Sequence, residues 1–237
     1  MRGESTRSDV VFEIRHILSS FPNPTFEDLR SRCLLREGEI DTALPELERR
    51  GFLIFNEGRL QVSREKKVKL AVLAIRLGAG LQKISKLLTW QEFESMIEYA
   101  LIENEYRTKT HHVINFKGNR REIDVIAAKG DTLLVIDCKH YTHERTQHSL
   151  KKAARAQIER VRLLSDYTNL SRVESVLRHR FRKEIFLIPI IASLRESSMK
   201  IHERVPIVPV VEFASFLNEL DGLLGSFGWL VTKADKR

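Results

Sequence analysis

Cysteine is nearly absent from this 237-residue chain, which carries only Cys33 and Cys138, far apart and at no zinc-ligand spacing. That excludes a disulfide framework and a cysteine-based metal centre; both read as small buried apolar residues of a reducing compartment. Long apolar runs are missing too. The longest candidate, Leu70-Ala-Val-Leu-Ala-Ile75, stops at Arg76, whereas a membrane-spanning helix needs about 20 such residues. No signal-type apolar core follows Met1, so the expectation is a soluble, cytoplasmic protein with no membrane partner. The chain does not lack charge: 40 Lys and Arg stand against 32 Asp and Glu, a net +8 with a pI near 9.6. That excess favours a polyanionic partner and long-range steering. The length suffices for one large domain or two small ones, each with a buried core.

Apolar residues Val11, Ile14, Ile17 and Leu18 recur at helical spacing over residues 8–20. Pro22 and Pro24 then break the chain, and Thr25 with Asp28 forms an N-terminal cap for a helix over 26–33. A third helix spans 41–50 and stops at Gly51, with Pro45 tolerable in its first turn. Two short apolar segments, 52–55 and 60–62, flank the turn Asn56-Glu-Gly58. Three helices followed by a hairpin resemble a winged helix-turn-helix, expected over residues 1–63. Its third helix is acidic, with Glu39, Asp41, Glu46 and Glu48 against Arg49 and Arg50, the wrong balance for phosphate. Docking or dimerisation is therefore expected ahead of base reading. Residues 64–88 read as a linker region, opening on a basic amphipathic helix over 64–77 that Gly78-Ala-Gly80 ends. Thr89-Trp-Gln-Glu92 then fits a capping box, with Leu88 and Phe93 as its hydrophobic staple.

The chain is organised around Glu122-Ile-Asp-Val-Ile-Ala-Ala-Lys-Gly-Asp-Thr-Leu-Leu-Val-Ile-Asp-Cys-Lys-His140. It reads as two apolar strands joined by a turn at Lys129, Gly130 and Asp131, where glycine admits a positive φ. Strand alternation puts Asp137 and Lys139 on one face, with Ile136 and Cys138 on the other. Two carboxylates and an ammonium on so apolar a hairpin are costly without partners, and a divalent metal with a phosphate would supply them.

Asp124, then Asp137-Cys138-Lys139, resembles the signature of the PD-(D/E)xK nuclease superfamily, especially its Mrr-like restriction endonuclease and archaeal Holliday-junction-resolvase branches. It departs in having Ile123 before the first acid and aspartate as the second. The resemblance implies that Asp124 and Asp137 bind Mg²⁺ (or Mn²⁺) and that Lys139 orients or activates the attacking water. Trp90-x-x-Phe-Glu94 resembles the family's first helix, which makes Glu94 a third metal-site acid, with Glu98 as the fallback. Gln157, on the apolar face of a helix starting at Leu150, resembles the fourth motif, a glutamine near the scissile phosphate; a satisfied core glutamine is the competing reading. The order helix, three-strand meander, helix, strand, strand, helix resembles the restriction-endonuclease-like α/β core, a mixed sheet flanked by helices, expected over 89–237.

The remaining basic residues supply expected nucleic-acid contacts: Lys117, Arg120 and Arg121 in a hairpin turn, His140 after the strand, Lys151, Lys152 and Arg155 on the following helix. Arg178 and Arg182 join them from a basic helix expected over 172–183. His140 and His143 imitate a zinc pair but have no third ligand at suitable spacing. Of the two apolar segments 185–191 and 205–211, the first needs Pro189 near its end and the second suits an edge. The expectation is a metal-dependent DNA endonuclease, shape-directed and serving repair, recombination or restriction, that works as a homodimer. The alternative is a non-catalytic DNA-binding or docking protein that retains a nuclease fold.

Overall fold

Apolar side chains at three- and four-residue intervals give the first compact unit, Met1–Met96, its helices; the second unit is Ile97–Arg237. The computed structural model describes residues 2–21, 23–34, 37–116, 119–140, 147–182, 184–227 and 230–233. In the first unit α1 (Arg2–Ser20), α2 (Phe26–Arg32) and α3 (Glu37–Arg49) precede a hairpin of β1 (Ile54–Asn56) and β2 (Arg59–Gln61). Then follow α4 (Arg64–Arg76), α5 (Leu81–Ser85) and the start of α6 (Trp90–Glu103). Thr25 caps α2 reciprocally: its hydroxyl accepts the Asp28 N–H at 3.0 Å, and the Asp28 carboxylate accepts the Thr25 N–H at 2.9 Å. Helix α3 starts four residues earlier than its sequence pattern suggested, so Pro45 lies inside it and not in its first turn. Proline there denies the Asp41 carbonyl its helical donor. Helix α4 packs on α1, and its Val68, Leu70, Ala71 and Ala74 are buried, so the basic amphipathic segment is part of a core.

Arg15 is the least expected member of that core. It is wholly buried, and its guanidinium donates to Glu92 Oε2 at 2.7 Å and to the Leu87 carbonyl at 3.0 Å. Burial pushes its pKa down, and the Glu92 carboxylate works against that shift. Glu92 also completes the capping box of α6, accepting the Thr89 N–H at 2.9 Å while the Thr89 hydroxyl accepts the Glu92 N–H at 3.2 Å.

The second unit is built on a seven-stranded mixed sheet. Strands β3 (Arg107–Phe116), β4 (Asn119–Lys129) and β5 (Thr132–Lys139) form an antiparallel meander. Helices α7 (Gln147–Leu164) and α8 (Tyr167–Leu177) lead to β6 (Glu184–Ser193), parallel to β5. The chain ends with β7 (Ile201–His202), β8 (Val205–Pro209), α9 (Phe213–Phe227) and β9 (Leu230–Lys233), the last antiparallel to β6. Ile126, Ala128, Leu133 and Val135 pack with Val161 and Leu164 of α7 and with Leu170, Val173 and Leu177 of α8. Leu150 and Ala154 of α7 pack on Ile191, Val205 and Ile207. One face of the meander's inner strands therefore belongs to α7 and α8.

Three local expectations change. Pro189 lies in the middle of β6, opposite Val135; on the other side of β6, β9 pairs with residues 184–187 and β8 with 191–193, so the ring occupies the break between them. The basic helix stops at Leu177, because Arg178 takes a left-handed φ of 48° and the His179 N–H caps the Glu174 carbonyl at 3.0 Å. Arg178 thus stands in the turn that ends α8 and Arg182 in the irregular segment before β6. Strand β8 is buried throughout and lies between β6 and β7, so it is not an open apolar edge.

The β4–β5 turn holds Gly130 at φ 58°, with nothing near the position a Cβ would take. Gly130→Ala should therefore cost about 1 kcal/mol through backbone conformation alone. Urea unfolding measures this, and an unchanged midpoint would mean that the turn is not left-handed in solution.

Candidate active site

The β4–β5 ladder runs from Lys129–Thr132 to Val125–Ile136, and Asp124 and Asp137 are the next residues on their strands. Since Ile126, Ala128, Leu133 and Val135 pack against α7 and α8, alternation puts Asp124, Asp137 and Lys139 on that same face. They lie at the carboxyl end of β5, where it runs parallel to β6, the end at which open α/β sheets bind ligands.

Asp137 is only 3% exposed, and a cation faces each of its oxygens. Lys139 Nζ lies 2.6 Å from Oδ2, and Arg160 Nη1 lies 2.9 Å from Oδ1. The Lys139 contact is an ion pair without hydrogen-bond alignment, since Oδ2 has no hydrogen-bonded partner. The Cys138 N–H donates to Asp124 Oδ2 at 2.7 Å, tying the first acid to the strand that carries the second. Gln157 is fully buried on α7. Its amide nitrogen donates to the carbonyls of Val135 and Ile190, and its oxygen accepts from Arg160 Nη1 at 2.9 Å. Both ends of its amide are thus hydrogen-bonded, with the nitrogen engaged by the backbone of two strands.

Arg160 was not singled out in the sequence, although it stands three residues after Gln157 and so on the same helical face. His111 is the second residue that pattern reading passed over. The β3–β4 pairs Thr110–Val125 and His112–Ile123 place it opposite Asp124, and it takes a left-handed φ of 51°. Its Nδ1 lies 2.9 Å from Glu122 Oε1. A non-glycine residue in that conformation is a local strain of the kind that concentrates at functional sites.

The other expected residues distribute as follows. Glu94 is buried on α6, within the first unit, and accepts a hydrogen bond from the Trp90 indole. Glu98 accepts from the Thr108 hydroxyl at 3.1 Å. Arg120 and Arg121 are exposed on β4, His140 directly follows Lys139, and Lys151, Lys152 and Arg155 lie on α7, where Arg155 pairs with Glu203 at 2.9 Å. Lys117 and His143 lie outside the described residues. Arg182 donates its N–H to Asp131 Oδ1 at 2.7 Å, and the Arg178 carbonyl accepts from Arg107, so both stand near the β4–β5 turn. That turn is six residues from Asp137 along β5, roughly 20 Å at the rise of a strand.

Among the described residues, no group of three or more His, Cys, Asp or Glu side chains is arranged to hold a metal ion. The acids at this site are two, Asp124 and Asp137. Magnesium is commonly held by one or two carboxylates, with water and substrate phosphate filling its other positions, so a two-acid set fits it. Asp137 Oδ2 faces the Lys139 ammonium at 2.6 Å but accepts no aligned hydrogen bond, which fits an oxygen with a lone pair left for such an ion.

The family described as "nuclease-related domain" matches residues 80–213, which include Asp124, Asp137, Lys139 and Gln157. An uncharacterized protein of Archaeoglobus fulgidus is 29% identical over 142 residues, 60% of this chain and 98% of that protein. The crystal structure of protein VC1899 from Vibrio cholerae aligns over 96% of this chain and 56% of its own, at 13% identity and a TM-score of 0.37. This chain thus spans little more than half the length of that structure.

Proposed function

This chain belongs to the nuclease-related domain family, and from that premise we propose that it is a divalent-metal-dependent DNA endonuclease of PD-(D/E)xK type. The observation that carries the reading is the pairing of Asp124 and Asp137 on one face at the carboxyl end of β5, with Lys139 Nζ 2.6 Å from the buried Asp137. In this reading Asp124 and Asp137 would hold Mg²⁺. A bound Mg²⁺ lowers the pKa of a water and offsets charge developing at phosphorus. Lys139 would orient the attacking water as an ammonium or, once neutral, deprotonate it, and Asp137 fixes where Lys139 Nζ lies. Gln157 anchors α7 to β5 and β6 behind the site. The basic side chains of α7, with Arg120, Arg121 and His140, track the phosphate backbone.

Around this chemistry we place three further proposals. Residues 1–63 form a winged-helix module, a reading supported by the order of three helices and a hairpin. It docks or dimerises in preference to reading bases, because α3 carries five acids and one arginine. The working unit is a homodimer, since cutting two strands takes two such sites. Cleavage follows DNA shape in preference to sequence.

Lys139→Ala should slow cleavage by about 10²–10⁴-fold, the usual worth of a positioned proton-transfer group, while weakening DNA binding only modestly. Nicking of supercoiled plasmid with Mg²⁺, against an EDTA control, measures the first effect, and wild-type cutting by the variant would remove Lys139 from the mechanism. One observation favours a second reading: both Asp137 oxygens already face cations, as suits a non-catalytic scaffold. Wild-type protein that binds DNA but leaves linear, nicked, flapped and four-way-junction substrates uncut in both Mg²⁺ and Mn²⁺ would establish that alternative. No helix among the described residues is long and apolar enough to cross a membrane.

A further inference from the structure

We propose that Arg160 is a phosphate-contacting residue of this site, held in place by Asp137 and Gln157; the inference rests on the reading that the site handles DNA. Both of its hydrogen bonds come from one nitrogen, Nη1, at 2.9 Å to Asp137 Oδ1 and 2.9 Å to Gln157 Oε1. Among the described residues Nε and Nη2 have no hydrogen-bond partner. A guanidinium is a rigid planar fork whose two free corners match a phosphate bidentately. Both tethers are themselves buried: Gln157 is 0% and Asp137 3% exposed, and the Gln157 amide is bonded to the backbone of β5 and β6. The Arg160 side chain is 23% exposed, open enough to meet a ligand and enclosed enough for the contact to count.

Two features argue against a purely internal role. Lys139 already provides Asp137 with a cation at 2.6 Å, so neutralising that carboxylate does not require a second one. The Gln157 nitrogen, the donor that a fourth-motif glutamine would offer to phosphate, is engaged by the Val135 and Ile190 carbonyls. The donor that α7 can present at this site is therefore Arg160. Gln157 is a positioning residue that acts through it.

The test is the salt dependence of DNA binding by the full chain, read by fluorescence anisotropy of a labelled duplex in EDTA, where cleavage does not intervene. Each phosphate neutralised contributes about 0.9 to the slope of log affinity against log salt. Arg160→Gln should bind about tenfold more weakly and reduce that slope by about one unit. An unchanged slope would make Arg160 an internal counter-ion and overturn the proposal. Should Arg160→Gln fail to fold, Arg160→Lys answers instead: it keeps a cation beside Asp137 but not the fork, so binding weakens several-fold at constant slope, and wild-type affinity overturns the proposal. A protein that shows these losses without ever cutting DNA keeps the Arg160 contact and loses the nuclease reading. One that cuts DNA while Arg160→Gln keeps the wild-type slope does the reverse.

Discussion

Asp137→Ala should cut DNA at least about 10³-fold more slowly than wild type, yet bind it as tightly or more tightly. The loss follows from the double use of this carboxylate. It is one of the two acids available to a divalent ion, and it holds Lys139 Nζ at 2.6 Å. The gain in binding follows from its other neighbour. Without the carboxylate, the Lys139 and Arg160 cations, at 22% and 23% exposure, are released together on the face where the phosphate is expected. A phosphate-facing negative charge has also gone, so the salt slope should not fall. Plasmid nicking in Mg²⁺ and anisotropy in EDTA measure the two effects separately. Wild-type cleavage by the variant would sink the site assignment. Weaker binding would mean that the two cations serve Asp137 and not DNA.

Arg15→Met should destabilise the first unit by roughly 3–5 kcal/mol, the cost of leaving one member of a buried ion pair uncompensated. Arg15 cannot discard its charge, and in the native state Glu92 and the Leu87 carbonyl answer it in a site closed to water. Methionine fills the volume but strands the Glu92 carboxylate, which among the described residues retains only its bond from the Thr89 N–H. The double variant Arg15→Met, Glu92→Gln should recover more than half of the loss, because a neutral amide tolerates the same burial and can still cap α6. Urea unfolding of the three proteins decides this. A single-variant loss below about 1 kcal/mol would show that water reaches the pair.

Much of this architecture is legible in local pattern. The β4–β5 hairpin follows from β-branched runs around Gly130, whose φ of 58° is the one the turn requires. The capping box at Thr89 and Glu92 forms as its spacing suggests. Gln157, a polar residue among the buried Leu150, Ala154, Val161 and Leu164 of α7, is itself buried and bonded on both amide ends. Asp124, Asp137 and Lys139 were identifiable because alternation in strands is strict and charge inside an apolar run is costly. In each case the deciding forces act within a few residues of chain.

What the tertiary structure alone decided involves partners distant in sequence. Arg15 sits among apolar neighbours on α1, and only the approach of a segment 77 residues further on turns it into half of a buried ion pair. Arg160 became part of the site because the packing of α7 on β5 and β6 brings it to Asp137, 23 residues earlier in the chain. Pro189 is admitted to mid-strand because two different strands share one side of β6 and leave a break between them. His111 stands opposite Asp124 through the register of β3 on β4, which no periodicity encodes. Helical and strand patterns are set by side-chain direction along one segment, so they are written locally. Whether a charge is buried, paired or free depends on which segments come together, and that is settled by the packing of the whole unit.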